Sequence, residues 1–424
     1  MDEAALIDAS ALVLGGVPAA TLARAYGTPL LVLDLDVLDS ALARFAALSA
    51  EFAVDVAYAG KALLFTALAK RVARAGLGLD VCSLGELLVA ERAQFPPARL
   101  TLHGCGKTTG ELAAAVAGRV GRVVVDHRDE LERLAGLARP EQPIDVLLRL
   151  NPGIEAETHR YIRTAGADSK FGFVAAEAVA AVSRTLEIPG LRLAGFHAHI
   201  GSNIFAPEPY LATLEVLFES YARALAAGAP LGDLVIGGGF GVATSPGGER
   251  FDAAALLGSV TGRTRELAAR YAVAAPRLGI EPGRAIVAEA GTSLYSVVTV
   301  KQHGERRFVI VDGGLADNPR PALYGADHAP LAVGRAFATE SSEALVCGRS
   351  CESDELGIAR LPVDLHAGDL LALRSTGAYT YSMSSNYNRF PRPAVVFAGA
   401  GSHRAVINRE PQDALLAFEA ADGL

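Results

Sequence analysis

From about residue 35 to residue 280 the chain alternates short apolar runs with stretches of helical period, and it does so eight times. The runs are Ala53–Tyr58, Leu79–Cys82, Leu100–His103, Arg122–Asp126, Asp145–Leu150, Leu193–His199, Asp233–Ile236 and Leu278–Glu281. Between them Leu84–Arg92, Gly110–Ala117, Arg128–Leu137 and Ala175–Leu186 carry the helical repeat. Strands that are apolar throughout need cover on both faces. Eight such units therefore predict a (β/α)8 barrel of parallel strands, TIM-like, over residues 35–280.

Such barrels carry their active sites at the C-terminal ends of the strands. Here those ends hold Lys61, Asp80 with Ser83, His103, Asp126, Arg149 with Asn151, His197 with His199, the triple glycine Gly237–Gly239, and Glu281 with Arg284. A polar group at all eight ends points to a site at that rim. After residue 284 the texture becomes strand-like, in Thr292–Val300, Arg307–Val311, Ser342–Val346 and Leu370–Leu373, without long helices. Residues 281–424 are read as a second, all-β domain, a barrel or sandwich. The early run Thr28–Leu33 can add a strand to either domain, and joining the β domain is the preferred reading.

A chain of 424 residues exceeds what one core usually supports, which agrees with two domains. The formal net charge of −8 argues against nucleic acid or an anionic membrane surface as partner. No apolar stretch reaches the length of a membrane span, and the start, with Asp2 and Glu3, lacks the pattern of a secretory signal. Cys82, Cys105, Cys347 and Cys351 show no disulfide-framework or zinc spacing. They read as reduced thiols of a cytoplasmic protein with no metal site.

Lysine sharpens the chemistry. Of 39 Lys and Arg residues, lysine supplies only positions 61, 70, 107, 170 and 301. Lys61 follows the apolar run Val56–Gly60 and precedes another apolar stretch, a poor place for a solvated charge. His199-Ile200-Gly201-Ser202 offers a ring and a hydroxyl, and Gly237-Gly238-Gly239-Phe240-Gly241 a backbone cradle for phosphate. Glu281-Pro282-Gly283-Arg284 adds a carboxylate beside a cation. These are the parts that pyridoxal 5'-phosphate requires: an amine for its aldehyde, N–H groups for its phosphate, and an acid for its ring nitrogen. His197 and His199 are read as facing opposite sides of their strand, with only one, His199, turned to the barrel mouth. In the β domain, Arg320-Pro321-Ala322-Leu323-Tyr324 can clamp a carboxylate. Cys351-Glu352 and the phenol of Tyr379 are further candidates.

In this order the motifs resemble the fold-type III pyridoxal-phosphate decarboxylases, and among them the diaminopimelate decarboxylase family. The resemblance runs from Gly27-Thr28-Pro29 to Asn386-Tyr387-Asn388-Arg389. Its most specific segments are Ser169-Lys170-Phe171-Gly172, His199-Ile200-Gly201-Ser202, Glu281-Pro282-Gly283-Arg284, Arg320–Tyr324, Cys351-Glu352-Ser353 and Gly377-Ala378-Tyr379. It implies that Lys61 joins the cofactor aldehyde, His199 stacks on the ring, and Glu281 meets its nitrogen. Asp80, Ser202, Gly238, Gly239, Arg284 and Tyr379 would complete the cofactor site, and Cys351 would act in catalysis. Arg284, Arg320, Tyr324 and Tyr379 would hold the substrate carboxylates, and Glu352 its distal amino group. The implied reaction is decarboxylation of meso-2,6-diaminopimelate to L-lysine, in a head-to-tail homodimer whose Cys351 and Glu352 cross the interface. Decarboxylases of ornithine, lysine or arginine are the main alternative. A racemase on the same fold is disfavoured by Glu281, and a non-enzymatic carrier leaves the second domain unexplained. The chain departs from the family pattern at Leu63, at Gly104-Cys105-Gly106-Lys107, and at Cys351-Glu352-Ser353-Asp354, which is one glycine short.

Overall fold

The computed structural model of the protein describes residues 12–154, 169–244 and 248–420. The acidic start, Asp2 and Glu3, lies outside them. The described residues divide into two compact units. One takes residues 41–242 and 249–286; the other takes the chain up to Ser40, residues 243–248 and the chain from Val287.

In the first unit eight parallel strands close into a barrel, in chain order Asp55–Ala59, Gly78–Val81, Leu100–Leu102, Arg122–Val125, Ile144–Asn151, Leu191–His197, Asp233–Val235 and Arg277–Ile280. The last pairs with the first, Ile280 opposite Val56, which completes the ring. Each predicted run lies within two residues of an observed strand end to end. The strands are buried almost throughout; Ile144–Asn151 has a single half-buried residue. Helices cover the outside with apolar stripes. Glu208–Ala226, for example, buries Tyr210, Leu214, Leu217, Phe218 and Tyr221.

Helix starts follow local chemistry. Ser83 accepts the Glu86 N–H ahead of Leu84–Arg92. Thr108 and Glu111 form a reciprocal capping box ahead of Thr109–Ala114. Among the described residues no helix is long and apolar enough to cross a membrane.

The second unit is a mostly antiparallel sheet organised around the long strand Gly291–His303, which pairs with Arg306–Val311, Leu370–Arg374 and Leu30–Asp34. The early strand Leu30–Asp34 thus joins this unit, between Gly291–His303 and Ala394–Gly399. Gly291–His303 serves two cores. Leu294 packs with Leu30, Val32 and Val396, whereas Tyr295 and Val297 pack with Val309, Val346 and Leu371.

Candidate active site

The first barrel strand delivers Lys61 through a single 3-10 turn, Gly60–Ala62. The buried Tyr58 hydroxyl donates to the Leu63 carbonyl at 2.6 Å and clamps that turn. The Ala59 N–H donates to the Pro282 carbonyl at 3.1 Å, which ties the end of the first strand to the end of the eighth. As a result Lys61, Asp80, Cys82, His103, Arg149, Phe171, His197, His199 and Glu281 line one cavity of about 200 Å3 at the C-terminal rim.

Glu281 is the centre of a charge cluster. Its two oxygens are shared between two imidazoles: His197 Nε2 lies 3.0 Å from Oε2, and His103 Nε2 lies 3.3 Å from Oε1. Burial opposes ionisation of Glu281, but the imidazoles outweigh it and hold the carboxyl well below its usual range. Burial likewise disfavours a charged His103, yet Glu281 and Asp80 overcome it and raise the imidazole to about 9. His197 goes the other way; burial lowers it to about 4, so it is neutral and donates its Nε2–H to Glu281. Asp80 is pushed up to about 6 by burial and by the Glu281 charge. His103 Nε2 stands 3.5 Å from Asp80, and the buried Asp80 oxygens have no closer hydrogen-bond partner among the described residues.

The expectation that His197 and His199 face opposite ways is corrected here: both line the cavity. Residues two apart on a strand share a face. His197 is therefore part of the site, as the partner of Glu281.

The seventh strand ends in Gly237–Gly239, whose backbone is packed where no side chain fits. A Cβ on Gly238 would meet the Glu281 carbonyl at 2.0 Å, and one on Gly239 the Gly201 carbonyl at 2.2 Å. The Gly238 N–H donates to His199 Nδ1 at 3.3 Å, leaving a hydrogen for Nε2. Burial, with Lys61 and Arg149 nearby, holds His199 neutral, which suits a ring that stacks. Arg284, on the turn after the eighth strand, donates to Ser202 Oγ at 3.1 Å.

A glycine cradle with an adjacent guanidinium, a lysine amine, a neutral imidazole, and an ionised carboxylate match the phosphate, aldehyde, ring face and ring nitrogen of pyridoxal phosphate. These residues fit the cofactor.

Comparison with known proteins agrees. The model for the pyridoxal-binding domain of pyridoxal-dependent decarboxylases matches residues 38–288. Diaminopimelate decarboxylase of Actinosynnema pretiosum is 44% identical over 414 residues, 96% of this chain and 92% of that one. This chain belongs to the diaminopimelate decarboxylase family. The Mycobacterium tuberculosis member is 41% identical over 423 residues, 96% of this chain and 94% of that one. The structure of the Helicobacter pylori member complexed with L-lysine aligns with a TM-score of 0.87 at 30% identity, covering 94% of this chain and 98% of that one.

The remaining expected site residues of this family member lie in the second unit, where two groups form. The buried Arg320 guanidinium sits 5.3 Å from the Tyr324 ring centre and 5.6 Å from that of Tyr379. Tyr379 is held at φ +61, a left-handed conformation that a side chain adopts at a cost of about 1–3 kcal/mol. Cys351 and Glu352 are exposed. The Tyr387 hydroxyl donates to Glu352 at 2.7 Å, and Asn388 Oδ1 accepts the Cys351 N–H at 3.1 Å. The shortened loop is anchored by buried Asp354, which accepts from the Leu315 N–H at 2.6 Å and from the Ser350 N–H and hydroxyl.

Three features of the barrel site were not assigned roles from sequence. His103 was noted only as a polar strand end. Arg149 lies 4.4 Å from the Phe171 ring centre and 3.4 Å from Asp126, whose other oxygen accepts the Gly172 N–H. Lys107 is fully buried and donates to Glu130 at 2.8 Å and to the Gly104 and Val124 carbonyls. It pins the loop that follows His103. A lysine inside Gly104–Lys107, directly after a strand, was the available signal.

Proposed function

We infer that this protein is a pyridoxal-phosphate-dependent carboxy-lyase that converts meso-2,6-diaminopimelate to L-lysine and CO2, the last step of lysine biosynthesis. The observation that carries the reading is the Glu281 carboxylate, held ionised by two imidazoles in the cavity that Lys61 lines. Pyridoxal phosphate supplies an electron sink for the pair left on Cα when CO2 departs. A carboxylate at the ring nitrogen favours that sink, and an arginine there would weaken it.

The chain's own residues have separable tasks. Lys61 would hold the cofactor through its aldehyde. Glu281 keeps a proton at the ring nitrogen, and His197 and His103 keep Glu281 ionised. The Gly238–Gly239 backbone, Ser202 and Arg284 bind phosphate. His199, which lines the cavity, would lie against the ring. In the second unit, Arg320 is assigned to the distal carboxylate of the substrate, with Tyr324 and Tyr379 flanking it. What supports this assignment is a buried guanidinium with two aromatic rings beside it. Ornithine, lysine and arginine lack that carboxylate.

We assign Cys351 and Glu352 to the active site of a second copy in a cytoplasmic homodimer. Their exposure and the anchoring of their loop through Asp354 support this. The test is CO2 release by the cofactor-loaded enzyme from meso-diaminopimelate, lysine, ornithine and arginine. Preference for meso-diaminopimelate is expected; preference for one of the other three would overturn the substrate and leave the reaction class standing.

A further inference from the structure

Lys107 and Glu130 form an ion pair at 2.8 Å whose side chains are 1% and 0% exposed. Withdrawing two charges from water costs about as much as their attraction returns, and an apolar pair of similar volume often serves stability equally well or better. The pair therefore calls for a reason other than stability. What an ammonium offers and a methyl group does not is direction, through three N–H donors. All three are used here, each on a different element. They reach Glu130 on the helix Arg128–Ala135, the Val124 carbonyl at 2.5 Å in the fourth barrel strand, and the Gly104 carbonyl at 2.7 Å. From the same helix Arg133 donates to the Lys107 carbonyl at 2.7 Å, so the residue is held at both ends.

The loop that Lys107 closes is Gly104–Lys107, between His103 and the helix cap Thr108. Its other residues supply little packing. Gly104 takes φ +124, and Gly106 is exposed with open space where a side chain would stand. Of the four residues only Lys107 is buried. The backbone around His103 is fixed on one side by its own N–H, which donates to the Val81 carbonyl at 2.8 Å, and on the other by Lys107 Nζ on the Gly104 carbonyl. His103 and Gly104 both line the cavity of Lys61. At 3.3 Å, the contact between His103 Nε2 and Glu281 Oε1 sits at the long end of the hydrogen-bond range, so a small shift of the loop ends it.

We propose that Lys107 is a positioning residue for the decarboxylation: its ammonium fixes the turn after the third barrel strand and so holds His103 against Glu281, the carboxylate assigned to the ring nitrogen. The functional part rests on the decarboxylase reading. Lys107 does not line the cavity; it acts through His103. An apolar pair at 107 and 130 would fill the same volume, but it would release the Gly104 carbonyl and let the loop move.

The test replaces the pair and not one partner, since Lys107→Met alone would strand the Glu130 carboxylate in the interior. The cofactor-loaded double variant Lys107→Met/Glu130→Leu is assayed well below its thermal midpoint. Its kcat for CO2 release from meso-diaminopimelate should fall at least about tenfold, with KM within about twofold of wild type. In a His103→Gln background the same pair replacement should change kcat by less than about threefold, because both changes then remove one effect. A crystal structure of the double variant should show His103 Nε2 more than about 4 Å from Glu281, out of hydrogen-bond reach. A smaller loss of kcat overturns the proposal. So does a larger effect in the His103→Gln background, and so does a His103 that stays on Glu281. Should the double variant not fold, Lys107→Met/Glu130→Gln is read by the same criteria; failure of both to fold makes the pair structural and also overturns the proposal. The position of His103 is read in crystals without substrate. It therefore tests Lys107 even if the wild-type enzyme does not decarboxylate meso-diaminopimelate, a result that would sink the decarboxylase reading instead.

Discussion

Replacing Glu281 by Gln keeps the shape of the side chain and removes its charge. Two consequences follow from the observed geometry. At the ring nitrogen, a charge-assisted hydrogen bond becomes a neutral one; the difference is about 1.5–3 kcal/mol. At 1.36 kcal/mol per factor of ten, kcat should fall by about 10–100-fold. At His103, the largest support for the charged imidazole disappears. The wild-type rise from 6.5 to about 9 corresponds to about 3 kcal/mol, and most of that should be lost.

The sign of the pH effect is fixed by linkage. A histidine whose folded value is raised contributes stability that is full below 6.5 and lost as pH climbs through 9. Asp80 is also raised, but its contribution is lost between 3.8 and about 6, before the His103 window begins. Thermal unfolding of the wild-type apoprotein should thus move to lower temperature between pH 6.5 and 9, and this slope should flatten in Glu281→Gln. The rate is measured as CO2 release at saturating substrate, with cofactor content checked by absorbance. A variant that holds its cofactor and stays within threefold of wild-type kcat would refute the role given to Glu281. An unchanged slope of stability with pH would refute the charge cluster.

Other outcomes are expected. Lys61→Ala should abolish turnover and leave no borohydride-reducible adduct; an adduct mapped to another lysine would move the assignment. Gly238→Ala places a methyl group 2.0 Å from the Glu281 carbonyl, so the cradle must shift; cofactor affinity, read by equilibrium dialysis, should drop by at least about tenfold, a loss of 1.4 kcal/mol. Arg320→Ala should lower kcat/KM for meso-diaminopimelate at least about tenfold, because an unpaired carboxylate costs more than the 1.5–3 kcal/mol of the contact itself. Cofactor content should be unchanged, and turnover of lysine and ornithine should barely respond.

The sequence by itself determined the eight strands, their order and the chemistry of their ends. Runs apolar on both faces have few other places to go, and the helical stretches between them repeat at 3.6 residues. Lys61, the glycine triplet, and Glu281 with Arg284 were legible because each sits where a run stops. Other features belonged to the tertiary structure alone. Thr28–Leu33 gives no local sign of which unit its strand joins; hydrogen bonds to Gly291–His303 and Ala394–Gly399 decided it. The sharing of Glu281 between His103 and His197, and the burial of Lys107 against Glu130, pair residues 178, 84 and 23 positions apart. No local pattern encodes such distances. They arise because closing the barrel sets the eighth strand beside the first, which brings Glu281 to the cavity of Lys61, and because a low-dielectric interior then makes each buried charge depend on the neighbours that closure supplies.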